Sequence, residues 1–456
     1  AQAALSQAMA LKTELLSAAQ EGRCDEVARL LRSTAEDRKD MVSNAALLGA
    51  CEAGQLEVAT FLVDHGAHVQ TTNKTGSTPL MLAVHGGHEG LAALLMRNKA
   101  DHESKTSSGS TPLMVAAHDG HRNIAGLLIE TGCDLGATDE DGFTALMLTA
   151  QEGHHQLAAT LMENNADLEA KNEDGFTALM LAVAKGHREV VAFLVDHGAD
   201  INSRGDFETT ALMAAACEGH QAVASYLADK GADVEAKNED GFTALMAAAQ
   251  EGHQGVIAVL LGKGADLEAK NQDGFTSLMT AAQDGHEKVV AFLLEMRANM
   301  EASNQDGFTA LIAAAHEGHE QVVAFLVDKG SALETAHEDG FTALMAAAQQ
   351  GYGDVAAFLA KRGADVGMVS KDGATAITLA RAAGHKDTAV RLEALAEHAR
   401  RQKARSLLTV PRALPVEDTR DIDELLEGLG EAPVPKKEKK ANKKDRGAAS
   451  RGGAGA

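Results

Sequence analysis

The sequence predicts an all-α solenoid, in which short helix–turn–helix units joined by β-hairpin-like loops stack into one continuous core. Three observations predict it. Thr78, Thr111, Thr144, Thr177, Thr210, Thr243, Thr276, Thr309, Thr342 and Thr375 recur every 33 residues without a slip. Gly87, Gly120, Gly153, Gly186, Gly219, Gly252, Gly285, Gly318, Gly351 and Gly384 keep the same interval, followed by His in nine places and by Tyr352 in the tenth. Aromatic residues make up only 3% of the 456, with no Trp, which suits many small repeated helix contacts better than one large core. A fixed period of this size sets the fold before any local propensity is considered.

Taken in chain order, residues 1–40 hold a divergent unit whose EGRCDEVARLL, within Leu11–Ser33, has the form of a second helix. A terminal unit is expected to depart from the pattern because one of its faces meets water. The regular unit is clearest from Thr177. TALMLAVAKG is short and Ala-rich and ends at Gly186, giving a first helix of about two turns. HREVVAFLVDHG then places Val190, Val191, Leu194 and Val195 on one helical stripe. Gly198 closes this second helix, where a left-handed residue is usually required. Gly occupies that site in seven of ten units, and Asn165 in an eighth. In neighbouring units the connecting segment reads ADLEAKNEDGF, a hairpin-like turn with Asp-Gly at its tip. A helix pair this small cannot bury its own apolar face, so neighbours must cover it.

The pattern D-G-x-T-[PA]-L-x-x-A-x-x-x-G-H-x-x-V-V-x-x-L-x-x-x-G-A-D resembles the ankyrin repeat over roughly residues 41–396, about eleven units. The resemblance implies a protein-binding scaffold or adaptor, neither an enzyme nor a cofactor carrier. Two departures stand out. Members of that family usually carry His after the repeated Leu, bonded to the Thr hydroxyl. This chain has Met81, Met114, Met147, Met180, Met213, Met246, Met279 and Met345 there, with Ile312 and Thr378 as exceptions. Apolar packing is expected to replace the polar tie. Pro follows the Thr only at Pro79 and Pro112, so later helices should start less firmly.

Composition and motifs exclude other classes. The net charge of −24 argues against a nucleic-acid partner for the array, since phosphate binding needs clustered Lys and Arg. The four scattered cysteines (Cys24, Cys51, Cys133, Cys217) read as reduced thiols. The opening AQAALSQAMALK lacks the pattern of a signal peptide, and no apolar run is long enough to span a membrane, so an intracellular, soluble protein is expected. One His per unit does not converge several donors on a metal. N-E-D-G-F fails as a calcium loop, because it puts Ala170 at the first ligand position and Leu181 where a bidentate Glu is required. No nucleotide-binding, hydrolase or kinase signature is present, and the stretches flanking the array are short for an enzyme domain.

In ankyrin proteins the partner usually lies along the concave face, against hairpin tips and the exposed side of the first helices. Carried over by position, this implies tips that include Glu239, Asp240, Asp273 and Asp306, and first-helix ends with Glu152, Glu218, Glu251, Asp284 and Glu317. It adds a column of Phe143, Phe176, Phe242, Phe275, Phe308 and Phe341, broken by Thr209. The expectation is an acidic, Phe-bearing groove for a basic or extended segment of another protein. Two plainer readings stay open: the charges form a solvated face, and the rings pack on the next hairpin. The near-constant tips equally suit a structural spacer or a subunit packed permanently in a larger complex.

Composition changes after Ala396. EHARRQKARSLL continues the last helix on a basic surface, and a Pro-, Lys- and Gly-rich segment of 397–456 reads as a flexible tail. With 14 basic against 10 acidic residues the tail is +4, which leaves −28 on the rest. Ile422, Leu425, Leu426 and Leu429 form a short amphipathic set. The cluster Lys436–Arg446 reads as a nuclear-import signal or as a solvating tail, for a protein otherwise expected in the cytoplasm.

Overall fold

A computed structural model of the chain describes residues 2–34 and 36–408. Among them are twelve helix pairs, from Gln2–Gln20 with Cys24–Ser33 to Ala376–Ala382 with Lys386–Leu408. No strand forms among the described residues, but isolated antiparallel bridges (Arg204 with Thr210, Ser303 with Thr309, Ala336 with Thr342) close three hairpins. The second pair begins with the helix Glu36–Glu52, ahead of the boundary drawn at residue 41. The last helix continues through EHARRQKARSLL to Leu408, as its sequence suggested, so the segment drawn from 397 begins helical. The amphipathic set Ile422–Leu429 and the cluster Lys436–Arg446 lie outside the described residues.

Each of the ten periodic Thr residues sits in extended backbone, and its hydroxyl accepts the N–H of the third helical residue, as Thr243 does from Met246 at 3.4 Å. This satisfies a donor that the first helical turn leaves without a partner. Pro at the first helical position changes little, because Thr78 before Pro79 and Thr243 before Ala244 have nearly the same ψ of 165° and 167°. The Met substitution is also less apolar than expected. In three units the backbone N–H of Thr78, Thr111 or Thr144 lies 3.4 Å from the Sδ of Met81, Met114 or Met147. The thioether, a weak acceptor, thus closes a capping box that Glu or Gln usually closes.

In the ten units from Leu56–Asp64 to Gly353–Lys361 the second helix ends in a left-handed residue, even where the sequence lacks Gly: Lys99, Asn165 and Arg297 have φ of 60°, 64° and 72°. The divergent first unit differs, with Thr34 extended at φ −83°. In the Thr243 unit, Leu245, Met246, Ala248 and Ala249 face Val256, Ile257 and Leu260 across the pair, all buried. First helices pack on neighbouring first helices and second helices on second helices, so every core segment is shared.

Four kinds of hydrogen bond recur between neighbouring units. The His after the periodic Gly donates from Nε2 to the carbonyl that ends the preceding first helix, as His253 does to Cys217 (2.9 Å) and His286 to Gln250 (2.6 Å). Gly252 makes room for that ring, since its φ is 79° and an added Cβ would stand 2.7 Å from His286 Nδ1. Hairpin tips bond through backbone, Gln272 N–H to the Asp240 carbonyl at 2.9 Å. Lys171, Lys237 and Lys270, which read as offsets to the acidic tips, reach the carbonyls of Arg204, Lys270 and Ser303 at 2.7–2.8 Å. Glu169, Glu235 and Glu268 accept the backbone N–H of Asp200, Asp266 and Asn299 at 2.7–2.8 Å.

Candidate functional site

The hairpins are built on an Asn. Asn238 Oδ1 accepts the N–H groups of Phe242 (2.8 Å) and Asp240 (3.1 Å), and Asn271 does the same for Phe275 (2.8 Å). These Asx turns fix the tip and deliver the following Phe to the edge of the first helices. Their repetition places Glu239, Asp240, Asp273 and Asp306 at exposed tips.

Glu152, Glu218, Glu251, Asp284 and Glu317 are exposed as well, each at the C-terminal end of a first helix. The helix dipole disfavours anions at that end. Among the described residues none of the five forms an ion pair with Lys or Arg, and Glu317 meets only His316 at 2.8 Å. The acids influence one another along the stack. Burial is the first cause of the raised Asp284 carboxyl pKa, and Glu251 and Glu317 add to it while His286 and His319 oppose it. Burial, then Glu251 and Glu218, raise the Cys217 thiol.

The Phe column is not a row of free rings. Phe143, Phe176, Phe242, Phe275, Phe308 and Phe341 are all half-buried. His337 stacks between Phe308 and Phe341, 5.0 Å from each ring centre. Phe176 lies so close to Gly205 of the next hairpin that a Cβ there would meet its ring at 2.9 Å. Part of each ring's surface is therefore covered by the scaffold itself.

The break at Thr209 changes the surface most. Here the hairpin reads Gly205-Asp206-Phe207-Glu208-Thr209, so the aromatic falls two positions early and Glu208 takes the place held elsewhere by a left-handed Gly. Phe207 and Glu208 both have positive φ, 53° and 60°. Phe207 is swung to the tip and is 70% exposed. At the same unit a cavity of about 580 Å³ is lined by Phe176 and Phe242, with Met180, Thr209, Met213 and Ala214. Cys217, Glu218 and Asp240 stand among its lining residues. The sequence marks this place only as a gap in the Phe column. That a cavity results, and that Phe207 does not fold back into it, depends on backbone angles that no periodicity supplies.

No helix among the described residues is long and apolar enough to cross a membrane. The comparison with curated proteins finds no match. The family profile described as "Ankyrin repeats (3 copies)" matches residues 15–106, 47–139, 85–172, 113–205, 198–271, 235–304 and 278–370. Ankyrin repeats are generally protein–protein interaction modules and typically non-enzymatic. With the helix pairs, the Thr caps and the Gly-His ties in the same register, the chain belongs to the ankyrin-repeat family.

Proposed function

We propose that this protein is an adaptor that holds a basic segment of another protein along the face formed by hairpin tips and first-helix ends. The observation that carries the reading is the repeated placement of Glu152, Glu218, Glu251, Asp284 and Glu317 at helix C-termini without a Lys or Arg partner. Carboxylates at that end oppose the helix dipole, and the raised Asp284 carboxyl marks a local cost. A stack selected only for stability gains nothing from setting anions there unit after unit. A face that waits for cations does. Lysines or arginines of a partner would relieve the repulsion and release counterions.

The test is fluorescence anisotropy with a labelled lysine-rich peptide against the intact protein and a Glu218→Gln, Glu251→Gln, Asp284→Asn, Glu317→Gln variant. Binding that falls steeply with salt and is lost in the variant supports the reading; equal binding to both proteins sinks it. The alternative, a spacer packed in a larger complex, draws on the Lys and Glu side chains already committed to stacking. It is favoured if no basic peptide binds the intact protein.

A further inference from the structure

The cavity at the Thr210 unit deepens that reading and rests on it. From its place on the acidic face we infer that it is an anchor pocket, taking one aromatic or long aliphatic side chain from a partner segment with lysine or arginine on either side. The walls and floor fit such a side chain. Phe176, Phe242, Met180, Met213 and Ala214 are apolar, and about 580 Å³ falls within the range of roughly 300–1,000 Å³ common to ligand pockets. Methionine lining adapts to the shape of what enters, as it does on other peptide-binding surfaces.

Charge selects the flanks. Glu218 and Asp240 stand at the lining, and Glu251 is close enough to act on the Cys217 thiol beside them. Arg204, which precedes the irregular hairpin, is spent on Glu208 at 3.0 Å and on the Lys237 carbonyl at 2.9 Å. The same charge argues against a second copy of this chain as occupant. Although Phe207 is exposed, it would bring a like-charged array, −28 in all, to an acidic pocket. Phe207 and Glu208 take left-handed backbone, and the lining receives Thr209 where the repeated Asn-x-x-Gly-Phe turn would have delivered a ring.

The experiment uses three short labelled peptides with the full chain: lysines around one phenylalanine, lysines around one alanine, and glutamates around one phenylalanine. Burial of a Phe side chain predicts at least about tenfold tighter binding of the first than of the second, with no binding of the third. Thr209→Phe, which returns the aromatic to its usual position, should bring the first peptide down to the level of the second. Cys217 supplies a readout independent of that variant's folding. It is the only exposed cysteine of the four, and its alkylation in the unmodified protein should slow with the phenylalanine peptide and not with the alanine one. If both lysine peptides bind equally, the anchor is wrong and the acidic face stands. If neither binds, both readings fall. A concentration-dependent dimer abolished by Phe207→Ala would make a second copy the occupant and overturn the proposal.

Discussion

Replacing Gly252 with Ala tests the interlock between units directly. Two penalties are expected there. Gly252 has φ of 79°, and an L-residue with a Cβ pays about 1–2 kcal/mol in that region. The new Cβ would also stand 2.7 Å from His286 Nδ1 and 2.9 Å from Cε1, so the ring must move. Movement costs the His286 Nε2 bond to the Gln250 carbonyl, worth about 0.5–1.5 kcal/mol net. The expected total is about 1.5–3.5 kcal/mol. Gly264 separates the two terms. Its φ is 90° and nothing lies within 4 Å of its Cβ direction, so Gly264→Ala should show the backbone penalty alone. An array of repeats need not unfold in two states. The assay is therefore native-state hydrogen exchange over the helices Ala244–Gln250 and Gln254–Gly262, which reads the local opening free energy. A His286→Ala background should remove the excess cost of Gly252→Ala and leave it equal to Gly264→Ala. If the two Gly substitutions cost the same with His286 present, the interlock contributes nothing and the reasoning fails.

Three further predictions need less space. Ser277 is fully buried with no partner for its hydroxyl, where most units carry Ala, so Ser277→Ala should stabilise its unit by about 1 kcal/mol in the same exchange assay; destabilisation would show a partner such as a water. Because the folded carboxyl pKa of Asp284 is raised, its ionised form costs stability at neutral pH, and the cost is relieved as pH falls through that raised value. Asp284→Asn should therefore be the more stable protein at pH 7 and lose its advantage on acidification; an advantage independent of pH refutes the assignment. Cys217 should alkylate slowly near neutral pH and faster in a Glu218→Gln, Glu251→Gln variant, because its thiol is raised by burial and then by those two acids, whereas buried Cys51, pushed up to about 12, should react only on unfolding. Unchanged Cys217 kinetics in the variant would remove the acids as a cause.

The elements legible in the sequence are those whose chemistry acts within a few residues. A Thr before an apolar helix caps its own turn, and a Gly after a helix takes the left-handed site, so both follow from local spacing. Lys237 reads only as an offset to the acidic tips, and nothing local employs it or Glu235. Their partners, the Lys270 carbonyl and the Asp266 N–H, belong to the next unit and are reached only when the stack is assembled. The Phe column was visible as a column, but how much of each ring is exposed depends on the facing hairpin, Gly205 for Phe176 and His337 for Phe308. Met81 was read as apolar packing because a thioether is seldom counted as a cap, and its reach back to Thr78 N–H is a matter of rotamer.

This division bears on how a stack of near-identical units could recognise anything selectively. Residues that recur among units are largely consumed in building the scaffold: His286 on Gln250, Lys237 on Lys270 and Glu268 on Asn299 between units, Asn271 on its own turn. Their constancy reflects stacking and says nothing for or against a partner. Selectivity must then reside where a unit departs from the pattern, and the Thr210 unit departs at five consecutive residues, Gly205 to Thr209. The departure is unfavourable for the isolated stack. It sets two non-Gly residues in left-handed backbone, at a cost on the order of 1–3 kcal/mol each, exposes a Phe, and leaves Phe176 and Phe242 without the ring that regular units place between them. Three unfavourable features fall at one step of an otherwise regular array, in the midst of its unpaired acids. A loop merely drifting from consensus would more readily regain its Asp-Gly turn than keep all three, which is why the irregular step, and not the repeated face around it, is the place to look for specificity.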